Sequence, residues 1–184
     1  MSKVNLYLAT GFEEVEALAV VDVLRRAGIT CDMVSVTGEK TVTGSHGISV
    51  IADCLFEEAS ESDAIILPGG MPGTINLKQH EGLAALIREY DEKKKLLCAI
   101  CAAPTVYGEM GLLVGKEATC YPGSEAKLLG ALPVRDAVAC DGNYITSRGV
   151  GTAIEFGLAI VTKLVDKQTA DQVAFAIVHT EQNR

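Results

Sequence analysis

Apolar runs of strand length alternate with helical patterns from one end of the chain to the other. KVNLYLAT reads as a first strand and EEVEALAVVDVLRRAG as a helix, with Gly28 placed to close its C-terminal end. TCDMVSV reads as a second strand, and GSHGISVIAD as a more exposed excursion that predicts a hairpin strand. DAIILPGG is a continuous apolar run, the mark of a parallel strand buried on both faces. The helix EGLAALIREYDEKK follows, then the strand LLCAI and a helix through PTVYGEM. EATC and NYITS are further strand candidates. TAIEFGLAIVTKLV is a long helix, for which Thr152 and Glu155 predict a capping box, and TADQVAFAIV predicts a last helix.

Strands too apolar to have a wet face, separated by helices, predict an α/β fold. Its expected form is a doubly wound, mostly parallel sheet with helices on both faces. No internal repeat, low-complexity tract or linker interrupts the 184 residues, so one domain over residues 1–184 is expected.

Composition narrows the functional classes. The net charge of −8 argues against nucleic acid or an anionic membrane surface as the main partner. No uncharged run reaches the roughly 18 residues of a spanning helix. The first apolar stretch runs at once into GFEEVE, unlike a secretory signal, so a cytoplasmic protein is expected. The six cysteines do not read as a disulfide scaffold in a chain of this length, and Cys31, Cys54, Cys120 and Cys140 read as small packing residues.

Ligands in such sheets bind beyond the carboxyl ends of the strands. Four strand ends carry unusual sequence: GFEEVE, PGGMPG, CAAP and RGVGT. The alternation places all four on one rim. Within LLCAICAAP, Cys98 and Cys101 have the spacing of a redox or metal pair. Three extended residues, however, span about 10 Å, and bridged cysteines need Cα atoms within about 7 Å. There is no second ligand pair of zinc-site spacing either. The reading that fits better buries Cys98 in the strand. Cys101 then occupies a tight strand-to-helix turn, where free amides and the helix end are expected to lower its pKa. The small Ala102 and Ala103 permit the sharp turn, in the manner of a nucleophile elbow. A third buried cysteine in a loop is the plainer alternative.

Glu16 lies on the apolar stripe of its helix, with Ala19, Val20 and Val23 at i+3, i+4 and i+7. It reads either as a carboxyl of raised pKa that serves sulfur as hydrogen-bond donor or acid/base, or as a charge complementing the helix dipole with Glu13 and Glu14. Gly69 and Gly70 offer backbone amides to a developing oxyanion, or simply form a turn. The GVG at Gly149–Gly151 lacks the third glycine of a dinucleotide fingerprint, and no cofactor is expected. His46, His80 and His179 do not adjoin Cys101.

GFEEVEA, DVLRRAGI, ILPGG, AICAAPTV and TSRGVGTAIEFGLAIV together resemble the ThiJ/PfpI superfamily, and within it the Parkinsonism-associated deglycase branch. The resemblance implies a flavodoxin-like sandwich of the class I glutamine amidotransferase type and a homodimer. It implies a reactive, oxidisable cysteine at Cys101 with Glu16 as acidic partner. It matches the family's glycine pair to Gly69 and Gly70, the Arg of TSRG to Arg148, and the second Arg of RRAG to Arg26, which in relatives lies near the dimer interface. The expected site then has Gly69, Gly70 and Ala102 as backbone donors, with Tyr121, Arg148, Arg26 and His46 around the pocket. No metal is implied. Many relatives carry His where this chain has Tyr121, and protease-like members carry His where it has Ala102. Both differences remove the obvious general base and argue against a peptidase. What remains is cofactor-independent chemistry on small reactive aldehydes or glycated groups. The alternative is an oxidation-sensing or chaperone dimer in which Cys101 stops at sulfinate.

Overall fold

A computed structural model of the chain describes residues 2–179. The strands are β1 (Lys3–Leu8), β2 (Thr30–Ser35), β3 (Thr41–Thr43), β4 (Ser49–Ile51), β5 (Cys54–Leu55), β6 (Ala64–Leu67), β7 (Leu96–Ile100), β8 (Glu117–Ala118), β9 (Leu132–Pro133), β10 (Val138–Asp141) and β11 (Tyr144–Ser147). The α-helices are α1 (Glu14–Arg26), α2 (Gly73–Gln79), α3 (Glu81–Glu92), α4 (Pro104–Glu109), α5 (Ala153–Leu164) and α6 (Lys167–Ala176). Seven strands form the main sheet in the order β10-β11-β7-β6-β1-β2-β5. All its pairings are parallel except β10 with β11, so the expected α/β class and doubly wound, mostly parallel sheet are what the chain adopts.

The apolar runs are buried on both sides because successive side chains feed two different cores. Val4, Leu6 and Leu8 of β1 join Cys98 and Ile100 of β7 under α1, α5 and α6. Tyr7 of β1 and Leu97 and Ala99 of β7 point the other way, under α2, α3 and α4. Each fully buried aliphatic side chain contributes about 1.5–3 kcal/mol, which makes the central strands the most stable part of the fold. α1 and α5 approach closely because residue 157 is glycine. A Cβ there would lie 3.0 Å from Val23.

Several elements differ from expectation. The excursion forms an antiparallel hairpin of β3 and β4, separate from the main sheet. EATC supplies only β8, which pairs with β9 and stays out of the main sheet. β10 joins the edge next to β11, and β5 caps the other edge. The capping box at Thr152 does not form. The Thr152 hydroxyl pairs instead with Ser147 Oγ at 2.7 Å and with the Gly149 carbonyl at 3.0 Å, which fixes the loop after β11. Gly28 follows the last turn of α1 at φ +77°, as its position predicted. No α-helix among the described residues is long and apolar enough to cross a membrane.

Candidate active site

The four predicted strand ends do meet. A cleft of about 850 Å³ at the carboxyl rim of the sheet is lined by residues from all four, among them Glu16, Gly70, Cys101, Arg148 and Gly149, with Tyr121 and His46 at its sides.

Cys101 follows β7 directly and takes φ +65°, a left-handed backbone that side chains other than glycine rarely adopt. Such a conformation costs on the order of 1–3 kcal/mol and holds only where the surroundings dictate it. Here they do. The Cys101 amide donates to the Ser147 carbonyl at 2.9 Å, and its carbonyl accepts from the Tyr121 amide at 2.7 Å. The turn raises the sulfur out of the strand line into the cleft, while Cys98 stays in β7 with no exposure. All six cysteines are unpaired, so the C-A-I-C spacing reflects a strand residue followed by an elbow residue.

Glu16 is fully buried in the first turn of α1. Its amide donates to Glu13 Oε2 at 2.6 Å, and its own Oε2 accepts from the Gly69 amide at 2.9 Å. The Glu13 amide in turn donates to the Gly69 carbonyl at 2.9 Å, locking the two loops together. Gly69 is therefore engaged by Glu16 and is not free for an oxyanion, contrary to expectation. Its lack of a side chain is equally necessary: a Cβ there would lie 2.6 Å from Cys101 Cβ and 2.7 Å from Glu16 Oε2. The amides directed at the sulfur come from Ala102 and Gly70.

The second carboxylate oxygen, Glu16 Oε1, is buried and has no hydrogen-bond partner. It faces the space between Gly149 and the sulfur, since a Cβ built on Gly149 would lie 3.8 Å from Oε1 and 4.0 Å from Cys101 Sγ. Burial pushes the Glu16 pKa up to about 7, against the lowering effect of its hydrogen bonds to Cys101 and the Gly69 amide. Burial and the neighbouring Glu16 charge push the Cys101 thiol up to about 12. The expectation that helix end and amides alone lower this thiol therefore fails. α4 is six residues long and starts three residues further on. The two groups are coupled: when Glu16 holds a proton the like charge is gone, and the two amides favour the thiolate.

The remaining predicted positions divide. Tyr121 and Arg148 line the cleft, both largely exposed, with Arg148 Nη1 donating to the Arg135 carbonyl at 3.3 Å. Arg26 does not belong to the site. It lies ten residues along α1 from Glu16, about 15 Å along the axis, and pairs with Asp22 at 2.6 Å on the surface. His46 reaches the cleft as part of the β3–β4 hairpin, which docks on α1 through Glu14. The Glu14 carboxylate accepts from the His46 amide at 2.7 Å and meets its Nδ1 at 2.8 Å. Glu13, Glu14 and His46 have metal-ligand spacing. Glu14 Oε1, however, already accepts from the amides of His46 and Ile48, and Oε2 accepts from the Ser45 hydroxyl and meets His46 Nδ1, which makes Glu14 a structural clasp.

Burial raises the Glu14 pKa, yet the His46 ring and the loop amides outweigh it and bring it down to about 2. A depressed carboxylate contributes stability that is complete above the ordinary value of 4.5 and is lost as pH falls toward 2. Thermal melts are therefore expected to fall more steeply over that interval for the natural chain than for Glu14→Gln. Parallel curves would remove the clasp from the account.

An α/β/α sandwich with a cysteine on a strained strand-to-helix elbow and a buried carboxyl beside it defines a class of cysteine-centred proteins of the flavodoxin-like fold. Residues 2–163 match the DJ-1/PfpI family, and the chain belongs to that family, in its DJ-1 branch. It is 41% identical over 180 residues to Protein DJ-1 homolog B of Arabidopsis thaliana, covering 96% of this chain and 41% of the plant protein. The chain thus spans less than half the length of that relative. A cysteine-to-alanine mutant of a DJ-1 superfamily protein from Salmonella typhimurium superposes with a TM-score of 0.93 at 32% identity, covering 97% of this chain and 98% of that one. Oxidized DJ-1 of Toxoplasma gondii gives 0.93 at 34% identity, with the same coverage.

Two features of the site escaped sequence reasoning. Glu13 is the N-cap of α1 and orients Glu16, a role disguised by the crowding of three acids into residues 13–16. Gly149 keeps open the space in front of Glu16 Oε1, and the GVG sequence was informative only for the cofactor it lacks.

Proposed function

We propose that the chain is a cofactor-independent enzyme of the glyoxalase or deglycase type, acting on small α-oxoaldehydes and related glycated groups. One observation carries this reading: a buried carboxyl oxygen without a partner faces a thiol on a strained elbow. With methylglyoxal, the Cys101 thiolate adds to the aldehyde carbon and the oxygen takes up the proton held by Glu16, giving a hemithioacetal and a Glu16 carboxylate. The Ala102 and Gly70 amides steady the developing oxyanion. The Glu16 carboxylate then removes the proton from that carbon and returns one to the neighbouring carbon, while the hydroxyl proton on the first carbon passes to the neighbouring oxygen, forming a lactoyl thioester. Water hydrolyses the thioester to lactate and restores the thiol. Glu16, with a pKa of about 7, suits both halves of the transfer.

The test is lactate formation from methylglyoxal in deuterated water, followed by NMR. A carboxyl shuttle open to cleft water introduces solvent deuterium at the lactate C2. Lactate carrying only protium there would contradict a carboxyl shuttle that exchanges with cleft water.

A second reading is favoured by Tyr121 standing where a base is absent. In it, Cys101 is oxidised by two equivalents of peroxide to sulfinate, which accepts a hydrogen bond from protonated Glu16, and the chain acts as a redox-responsive module. A two-oxygen mass gain confined to Cys101, without lactate, would support this reading over the first. The homodimer implied by the resemblance has a suitable face in Val15 and Leu18 of α1 beside Ile48 and Ile51 of the hairpin. All four are exposed and apolar, and sedimentation equilibrium tests it.

A further inference from the structure

Cys101 and Glu16 leave Tyr121 without a task in the reaction, yet its ring stands beside the reacting atoms. A Cβ built on Gly149 would lie 3.7 Å from Tyr121 Cδ2, 3.8 Å from Glu16 Oε1 and 4.0 Å from Cys101 Sγ. One carbon-sized space is therefore bordered by the ring, the free carboxyl oxygen and the sulfur. The ring is also held from the elbow itself. The Tyr121 amide donates to the Cys101 carbonyl at 2.7 Å, and the Tyr121 carbonyl accepts from the Ser124 amide at 3.0 Å. Pro122 follows and disfavours helical backbone at Tyr121.

The ring is free to take a partner. Tyr121 is 54% exposed, and among the described residues no aromatic ring or side-chain cation covers it. Met71 and Val150, both about half-exposed, line the same cleft. A second ring gains from a first beyond the area it buries, and a thioether makes favourable contacts with either. Size points the same way. The cleft holds about 850 Å³. Methylglyoxal, with five non-hydrogen atoms, leaves most of such a space unfilled, since sites of roughly 300–1,000 Å³ ordinarily enclose far larger ligands.

Resting on the glyoxalase-type reading, we propose that Tyr121 sets the specificity of the cleft. The preferred substrates are α-oxoaldehydes whose ketone carbon carries a flat aromatic group, seated against the Tyr121 ring. Phenylglyoxal is the simplest member. Its aldehyde carbon bonds to the Cys101 sulfur, and Glu16 carries the proton from that carbon to the ketone carbon, as with methylglyoxal. Water then cleaves the thioester, releasing mandelate and restoring the thiol. The net change is the addition of one water, so no oxidant or reductant is required.

The first measurement is kcat/KM for phenylglyoxal and methylglyoxal, from initial rates, in the natural chain, Tyr121→Phe and Tyr121→Ala. Tyr121→Ala is expected to lose about tenfold more with phenylglyoxal than with methylglyoxal, carried by KM, while Tyr121→Phe keeps the natural ratio. Equal losses with both aldehydes would overturn the proposal. The second measurement needs no turnover. Phenacyl chloride and chloroacetone alkylate the Cys101 thiolate, the carbon–sulfur bond forming as chloride leaves, and they present the same phenyl and methyl ketones. The ratio of their rates, followed by mass of the Cys101 peptide, should depend on residue 121 in the same way. If that dependence appears while neither aldehyde yields a hydroxy acid, the aromatic seat stands and the glyoxalase-type reading falls. If it is absent, the proposal falls whether or not the aldehydes turn over. The unaltered chain supplies a test that needs no variant. Acetophenone should protect Cys101 from iodoacetamide at several-fold lower concentration than cyclohexyl methyl ketone, which has as many carbons but is not flat. Equal protection by the two ketones would also overturn the proposal.

Discussion

Replacing Cys101 with serine is expected to lower lactate formation from methylglyoxal by a thousandfold or more, ~4 kcal/mol of barrier. The argument rests on the elbow. Serine fits the same φ of +65° and the same contacts to Ser147 and Tyr121, so the fold and the cleft survive. What is lost is the sulfur nucleophile, which ionises far more readily than a serine hydroxyl in the same surroundings and attacks carbonyl carbon better. The other five cysteines serve as internal controls. Cys98 is enclosed in β7, and burial pushes the Cys31 thiol up to about 12. Substitution of any of these thiols should leave turnover near that of the natural chain. Undiminished turnover in Cys101→Ser, at matched circular dichroism and melting temperature, would place the reaction elsewhere.

Glu16→Gln is expected to separate two properties that the natural site combines. Glutamine keeps a hydrogen-bond donor beside the sulfur and removes the charge that opposes the thiolate. Alkylation of Cys101 by iodoacetamide at neutral pH is therefore expected to persist. Turnover is expected to fall by about 10²–10⁴-fold, because an amide cannot take a proton from one carbon and deliver it to the next. In the natural chain the pair with both protons in place is inactive, and loss of the first proton produces the working form. Since burial has raised the Glu16 pKa from 4.5 to about 7, kcat/KM should rise with pH through the neutral range, not through the ordinary carboxylate range. Alkylation that falls together with turnover in Glu16→Gln would mean that Glu16 ionises the thiol directly and that its negative form is the working one.

Much of this arrangement was legible in the order of residues because it rests on local patterns. β1, β6 and β7 announce themselves as apolar runs since both their faces meet a core. The convergence of four strand ends follows once those strands are parallel. Cys101 was legible as an elbow because only small residues, Ala102 and Ala103, follow it. β5 was not, having two residues and one neighbour in the sheet. β10 is an antiparallel edge strand with mixed burial, and α2 is a short helix without an apolar stripe long enough to register. At the site, the failures share one cause: they depend on which distant groups occupy the same few ångströms. Gly69 was expected to serve an oxyanion, but its amide holds Glu16, 53 residues earlier in the chain. The Cys101 pKa was argued from its own turn, while burial and the Glu16 charge govern it. Arg26 was expected at the pocket rim, with the resemblance placing it near a dimer interface, yet within the chain it sits at the far end of the helix that delivers Glu16.

That a buried carboxyl holds a proton beside the thiol at neutral pH is open to direct observation. Carbon-13 NMR of the Glu16 carboxyl, assigned by comparison with Glu16→Gln, should show it titrating at about 7 or above in the free protein. A midpoint at the ordinary carboxylate value of 4.5 or below would contradict the shared-proton account of Cys101 and Glu16.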